Sequence, residues 1–418
     1  MRRLTKLAVI ALIALVGNAN AQNNTISPYS RLGLGQYEPV GFARNLGMGN
    51  TGVALRSPSF VNIVNPASYV GIDSTMVMLD IGMHADYQYI ETKLDTGDKL
   101  NGNISYFSIA MSVSSKWALN FAISPYSSTG YTIKTTENVS GGGDATYTSF
   151  TEGLGGLTRM HLGVGYKLLK YTSIGMNATI LFGPKTERQS MQFTNSDPFS
   201  TYTEVTNYNT GGKLDFGIQQ EIPLKKSDDK LVIGLIASTP GIMYCNETRF
   251  ASVTYVKAGI TDTIYYDDDD GRRYTRLPYT AGFGLSYNKG KRLTISADFN
   301  YNPLSKLDMK EDRTKFLDNK TVNFGVEYCP HRFGEKYELA FRGGLAYENG
   351  CYQFDNFRLR TYSATMGAGC RIKSIRLNSY IAWRRQGTIE NLLVLENSMQ
   401  FGINLTYIDF WFQKRRFN

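Results

Sequence analysis

The second half of the chain alternates apolar and polar residues strictly. From Leu293 the apolar positions are Leu293, Ile295, Ala297, Phe299 and Tyr301, with Thr294, Ser296, Asp298, Asn300 and Asn302 between them. Val322, Phe324, Val326 and Tyr328 alternate in the same way with Thr321, Asn323, Gly325 and Glu327. So do Ile375, Leu377, Ile381 and Trp383 with Arg376, Asn378 and Arg384, and Met399, Phe401, Ile403, Leu405 and Tyr407 with Gln400, Gly402, Asn404 and Thr406. A period of two sends the two sets to opposite faces of a β-strand. Runs of roughly ten residues match the length of a tilted strand that crosses a bilayer. Over the whole chain the pattern predicts about fourteen strands, starting near Thr75, Asn103, Trp117, Leu154, Thr172, Thr203, Lys230, Arg276, Lys291, Asn319, Tyr337, Arg360, Ile375 and Glu396.

The connections alternate in length. Short turns are expected at Ser114-Ser115-Lys116, Leu169-Lys170-Tyr171, Asn288-Lys289-Gly290 and Lys373-Ser374. Longer loops are expected near Lys134 to Thr146, Pro184 to Tyr202, Cys245 to Arg273 and Ser305 to Asp318. Short periplasmic turns facing long outer loops are the asymmetry of an outer-membrane barrel, and an even strand count leaves both barrel ends on the periplasmic side. Closure pairs every backbone group in lipid and removes exposed edges. The expected fold is all-β: a transmembrane antiparallel β-barrel of about fourteen strands over residues 73–418. Tyr87, Tyr89, Tyr287, Tyr301, Tyr328, Tyr347, Tyr407, Phe410 and Trp411 fall near strand ends, where an aromatic girdle sits.

The N-terminal end reads differently. Arg2, Arg3 and Lys6 surround the start of an apolar run, Leu7 to Val16, which Gly17 and Ala19-Asn20-Ala21 follow. This is the pattern of a secretory signal over residues 1–21, with cleavage after Ala21. The run is too short to span a bilayer as a helix, and no later stretch is long enough. An exported barrel belongs in the cell outer membrane, with outer-membrane lipid and lipopolysaccharide as its surroundings. Residues 22–72 show neither helical nor strand period. Their centre carries Gly47-Met48-Gly49-Asn50-Thr51-Gly52 and Asn65-Pro66-Ala67. The glycines allow close-packed backbone and Asn65-Pro66 favours a turn, so this stretch reads as a compact plug inside the barrel. The glycine spacing is not a dinucleotide fingerprint, because no strand precedes it and no βαβ unit surrounds it.

Composition agrees with a barrel. The chain holds 28 Tyr, 22 Phe and 41 Gly. Its mean hydropathy of −0.28 suits a wall with one face in lipid and one on a polar lumen. The net charge of +9 forms no basic stripe interleaved with stacking aromatics, so nucleic acid is not an expected partner. The four cysteines are scattered; Cys245 and Cys351 fall near outer loops, and the sequence leaves their pairing open. His84, His161 and His331 show no nucleophile partner and no metal-ligand spacing, so neither an enzyme, a cofactor nor a metal is expected. Asp267 to Asp270 with Gly271 fails the calcium-loop pattern, since Tyr266 and Leu277 stand at its end ligand positions, and reads as a solvated outer loop. By strand parity Asp298, Glu327, Arg342, Arg371, Arg376 and Arg384 face inward. Glu327, Arg342, Arg371 and Arg376 gather towards the periplasmic end, where ion pairs could anchor the plug.

The signal, the element Gly47-Met48-Gly49-Asn50-Thr51-Gly52-Val53-Ala54, the triplet Asn65-Pro66-Ala67 and the strand series together resemble the FadL-type long-chain fatty-acid transporter family. The likeness extends over nearly the whole mature chain. It departs at Ser68, where those transporters often carry Gly. It implies that the plug is a hatch, and that the barrel passively takes up hydrophobic small molecules such as long-chain fatty acids. It also implies a kinked third strand opening a lateral gate. Pro125, Tyr126 and Gly130 lie in the third predicted strand, where Pro removes a ladder donor. Such a route needs apolar lumen surface, and Leu231 to Ala237 is apolar on both faces, so Val232 and Ile236 form a candidate inward patch. The motif is also similar to that of type IX secretion shuttle barrels, which implies a cargo-binding barrel with a secretion-system protein as partner. A structural or adhesive surface barrel is the third reading, supported by the long loops.

Overall fold

The computed structural model describes residues 25–138, 146–194, 199–224, 228–255, 257–307, 314–330, 337–354, 357–390 and 393–411. The signal with its cleavage site, His331 and the basic C-terminal end lie outside the described residues. Sixteen strand segments build the wall. They are β1 (Met76–Glu91), β2 (Thr96–Ser112), β3 (Trp117–Asn138), β4 (Thr146–Lys167), β5 (Thr172–Thr194), β6 (Phe199–Pro223), β7 (Lys230–Ser238), β8 (Gly241–Tyr255), β9 (Ile260–Leu277), β10 (Thr280–Lys289), β11 (Leu293–Asn302), β12 (Asn319–Tyr328), β13 (Tyr337–Glu348), β14 (Thr361–Ile372), β15 (Ile375–Gly387) and β16 (Leu395–Phe410). β1 closes on β16 in register from Met76 with Phe410 to Glu91 with Leu395. Thr239-Pro240 interrupts one stave between β7 and β8, and Pro278-Tyr279 interrupts another between β9 and β10. Proline has no N–H to give the ladder, so the breaks fall there. The product is a closed antiparallel barrel of 14 staves with an N-terminal plug.

Two stretches expected as long loops, Pro184 to Tyr202 and Cys245 to Arg273, are mostly strand, and the start of a third, Lys134 to Asn138, is strand too. β3 runs to Asn138, β5 to Thr194 and β6 from Phe199, and Cys245 to Arg273 forms most of the β8–β9 hairpin. Above the membrane both faces of the wall are wet. The apolar half of the alternation disappears there while the backbone ladder continues. Asp267 to Asp270 therefore belong to a strand, β9, which pairs with β8 alone among the described residues. Charge on such an edge discourages further pairing. The segment between Ser305 and Asp318 is also partly ordered, and Thr314–Phe316 joins Tyr352–Phe354 and Phe357–Arg358 in a small outer sheet.

The two faces of the wall follow the parity of the sequence. Leu285, Phe299, Phe324, Phe341, Leu345, Phe401 and Ile403 point out and stay exposed. Asn120, Asn177, Gln219, Asp298, Asn378 and Asn404 point in and are buried. They are buried because the plug fills the lower lumen. It contains a 3-10 turn at Pro28–Arg31, a two-residue strand at Gln36–Tyr37, a helical turn at Ala43–Leu46 and a 3-10 helix at Pro66–Gly71. Its backbone touches the wall directly. Gly49 adopts φ +66°, and a Cβ on the facing Gly344 would sit 2.1 Å from the Gly49 nitrogen. Only glycine permits that approach.

Candidate functional site

The plug is held by polar groups placed along its whole length. Asn65 caps the Pro66–Gly71 turn: its Oδ1 accepts from the Ala67 N–H at 3.0 Å, and its Nδ2 donates to the Val53 carbonyl at 2.7 Å. The Gly52 and Val53 N–H groups both donate to Asp298 Oδ2, at 2.6 and 2.9 Å. Gly49 N–H donates to Thr365 Oγ1 at 2.9 Å. Gly47 packs against Gly367 of the wall, Gly52 packs against Val64 of the plug, and Met48 is fully buried.

Towards the periplasmic end a buried ion-pair chain crosses from plug to wall. Arg44 of the plug meets Glu327 Oε1 at 2.7 Å, and Arg342 Nε meets Glu327 Oε2 at 2.6 Å. Arg342 also donates to Asn378 Oδ1 at 3.0 Å. Arg376 donates to Ser59 Oγ of the plug at 2.9 Å and to Glu338 at 2.6 Å. The Phe60 ring lies under all three guanidiniums, 4.6 Å from Arg44, 5.3 Å from Arg342 and 4.0 Å from Arg376. One carboxylate shared by two arginines, with a ring face for the charge, satisfies buried cations that would otherwise be costly. Arg371 reaches the same Glu338 that Arg376 holds, at 3.6 Å, and donates to the Lys373 carbonyl at 3.1 Å. Sequence reasoning missed Arg44. Its signal is the one charged residue between Glu38 and Arg56, in the glycine-rich part of the plug.

The outer end is closed by apolar packing. Tyr29 and Leu34 of the plug join Leu304, Leu307, Phe316, Tyr352 and Leu359 of the outer loops in one buried cluster. The Tyr29 hydroxyl donates to the Val394 carbonyl at 2.7 Å and accepts from the Val394 N–H at 2.9 Å. Ser27 donates to Glu396, and Lys185 Nζ donates to the Arg31 and Gly33 carbonyls. All four cysteines are free, so Cys245 and Cys351 do not pair.

Between plug and cap lies a cavity of about 410 Å³. Its lining is mixed: His84, Arg159, His161, Asp215 and Arg384 share it with Val40, Leu46, Ile63, Val64, Phe216 and Ile236. Lys213 pairs with Asp215 at 3.0 Å, and Arg159 donates to Ser124 Oγ at 3.0 Å. Ile236 reaches this lining, whereas Val232 is buried in the wall. Between them Gly234 lies against the Val53 carbonyl of the plug.

A second opening lies in the wall itself. β2 and β3 pair only from Phe107–Ser112 to Ala118–Ile123. Above that level β3 bends away from β2. The register of β3 shifts between Pro125 and Ser127, at Tyr126, and Gly155, Gly156 and Gly183 take φ of +102°, +146° and +151° on the next two strands. The seam holds a pocket of about 500 Å³, lined by Ile104, Phe107, Ile123, Pro125, Leu154 and Leu157 among others. Gln36–Tyr37 of the plug pairs with Ser128 and Ser127 of β3, both buried. Gly130 lies above the bend and exchanges bonds with Ser30 Oγ of the plug, at 3.0 and 3.2 Å. Among the described residues no cluster of His, Cys, Asp and Glu could hold a metal ion.

A family model described as BamG matches residues 3–418. The chain belongs to the BamG family. No curated protein matches it. Solved structures share the fold of this BamG-family chain at low identity. A FadL homologue from Pseudomonas aeruginosa is 14% identical with a TM-score of 0.58, covering 89% of this chain and 99% of that one. The toluene transporter TbuX of Ralstonia pickettii is 14% identical with a TM-score of 0.55, covering 90% and 98%. The toluene transporter TodX of Pseudomonas putida is 12% identical with a TM-score of 0.57, covering 90% and 100%. The barrel fold places the BamG-family chain in the outer membrane.

Proposed function

We propose that this BamG-family barrel is a closed outer-membrane component that works through a protein partner at its membrane-facing side, and does not conduct solutes through its lumen. The observation that carries this reading is closure at both ends: an ion-paired plug below and an apolar cap above. The family name BamG also points to a setting in outer-membrane assembly. In this reading Arg44, Glu327, Arg342 and Arg376 hold the plug, with Gly47 to Gly52 and Asn65-Pro66-Ala67 shaping it. Arg371 braces the wall. The test is gentle extraction of the chain from its own membrane with mass measurement of the intact species. A stoichiometric protein partner is expected. A bare barrel carrying a bound hydrocarbon would overturn the reading.

A second reading is passive uptake of hydrophobic small molecules, with long-chain fatty acids as one candidate. The seam pocket supports it, because Ile104, Phe107, Ile123, Leu154 and Leu157 make its lining more apolar than polar. The channels of similar fold, named for toluene and monoaromatic hydrocarbons, support the same class of ligand. Pro125 and Tyr126 would then mark the lateral gate. Partition of radiolabelled toluene or oleate into cells with and without the chain tests it, and equal rates would sink it.

A further inference from the structure

We propose that the periplasmic rim of the barrel is a docking surface for an acidic periplasmic protein, which sits across the mouth of the plug. This goes beyond the partner reading above, which concerns the side of the wall that faces the membrane.

The charge of this chain is polarised along the barrel axis. The described residues of the periplasmic connections and strand ends are 72–75, 113–117, 167–172, 228–230, 289–293, 329–330, 373–375 and 409–411. They hold eight Lys and Arg against four Asp. Residues 225–227, 331–336 and 412–418 add seven Lys and Arg and one Glu by sequence, so the sign does not depend on them. The combined excess is larger than the +9 of the whole chain, which leaves the rest of the molecule slightly acidic on balance. Lys116, Lys170, Lys230, Lys289, Arg292 and Lys373 are all exposed, and they come from five different connections around the rim. The ion pairs inside the mouth do not supply the missing negative charge. Five arginines there share Glu221, Glu327 and Glu338. A rim of one sign attracts and orients a partner of the other.

Lipid does not account for this arrangement. The strongly anionic leaflet of an outer membrane is the outer one, which carries lipopolysaccharide. Cations placed to match lipid charge would gather at that end, and here they gather at the other. The centre of the ring is also out of reach of a bilayer. Pro58, Phe60 and Val70 of the plug stay partly exposed inside the wall. Ser59, between Pro58 and Phe60, is tied to Arg376, one residue above the Lys373-Ser374-Ile375 connection. The Pro58 carbonyl accepts from the Asp73 N–H at 3.3 Å, where the plug leaves for β1. A small apolar centre within a charged, solvated rim is the anatomy of a protein interface. A folded acidic domain can cover the mouth and meet the ring at the same time.

The test is carbodiimide cross-linking of the full chain in its own cell envelopes, which joins a lysine amine directly to a carboxylate in contact with it. Peptide mapping should link Lys116 and Lys289 to Asp or Glu residues of one and the same protein. Lys93, exposed in an outer turn, should give no link to it. A variant with Lys170→Glu, Arg292→Glu and Lys373→Glu reverses the ring and spares both reporter lysines. It should lose both links, while Lys170→Arg, Arg292→Lys and Lys373→Arg together should keep them. Heat-modifiable migration on gels checks that each variant has formed its barrel. At about 1 M salt, where charges are screened beyond about 3 Å, the parent should lose the links too. Links scattered over unrelated proteins, or links that survive charge reversal, would overturn the docking surface. So would anionic phospholipid held by the parent and released from the reversed variant without any protein link, which would assign the ring to the inner leaflet. Either result leaves the partner reading standing if the chain still leaves the membrane with a stoichiometric protein.

Discussion

At the scale of single residues, the most consequential group is the carboxylate of Glu327. It answers two buried arginines on different elements, Arg44 and Arg342. Glu327→Gln keeps the shape and removes the charge, which leaves two uncompensated guanidiniums inside the lumen. Breaking a buried pair in this way costs about 3–5 kcal/mol. The expected outcome is a plug that proteases in the periplasm can cut while the barrel remains folded, read by limited proteolysis followed by gel migration. Arg371→Ala is the contrast. Its ion pair is longer and confined to the wall, so a change below about 1 kcal/mol and an unaltered plug are expected. Asn65→Ala removes the turn cap and the bond to Val53, and leaves buried backbone groups unmet, at about 1–3 kcal/mol. The inward face of Glu327 and Arg342 could be read from strand parity. The partner Arg44 could not, because nothing local links two residues 283 positions apart.

At the scale of elements, the plug and wall meet backbone to backbone, and glycine sets the distance. Gly344→Val puts atoms where the Gly49 nitrogen lies. The barrel ladder from β12 through β14 does not need that space, so the strands should form while the turn at Met48 to Asn50 is displaced. Planar-bilayer recording should then show ion conductance from the variant and almost none from the parent. Equal, silent traces from both would mean that the outer cap alone seals the lumen. The sequence placed the third strand and its Pro125 correctly, and Pro125 with Tyr126 lies at the bend. It gave no sign that glycines on the two following strands bend with it. Bulges on neighbouring strands are coupled only through the sheet they share.

At the scale of the whole molecule, the wall is uneven. β3 to β6 run for 22 to 25 residues, whereas β11 and β12 have 10 each. About ten residues suffice to cross the membrane, so the first group stands well above the surface and the second stops near it. The cysteines are distributed through this structure without bridging. Migration on gels should therefore be the same with and without reductant. Cys351 lies buried in the outer cap, and burial pushes its thiol up, so it should alkylate slowly at neutral pH and rapidly once the chain is denatured. Rapid labelling of the native protein at Cys351 would show that the cap opens.

The sequence by itself determined the number of staves, their facing and the presence of a glycine-rich plug. Each of these is written residue by residue, in the contrast between lipid on one side of a strand and polar lumen on the other. Only the tertiary structure decided where that contrast fails. Above the membrane the ladder continues without it, so expected loops became strands. Between β2 and β3 the alternation persists but the pairing does not, because the bend belongs to three strands together. The lock between Arg44 and Glu327 likewise exists only once the plug is inside the closed barrel. Long-range pairing is set by closure and packing, and local pattern carries no record of it.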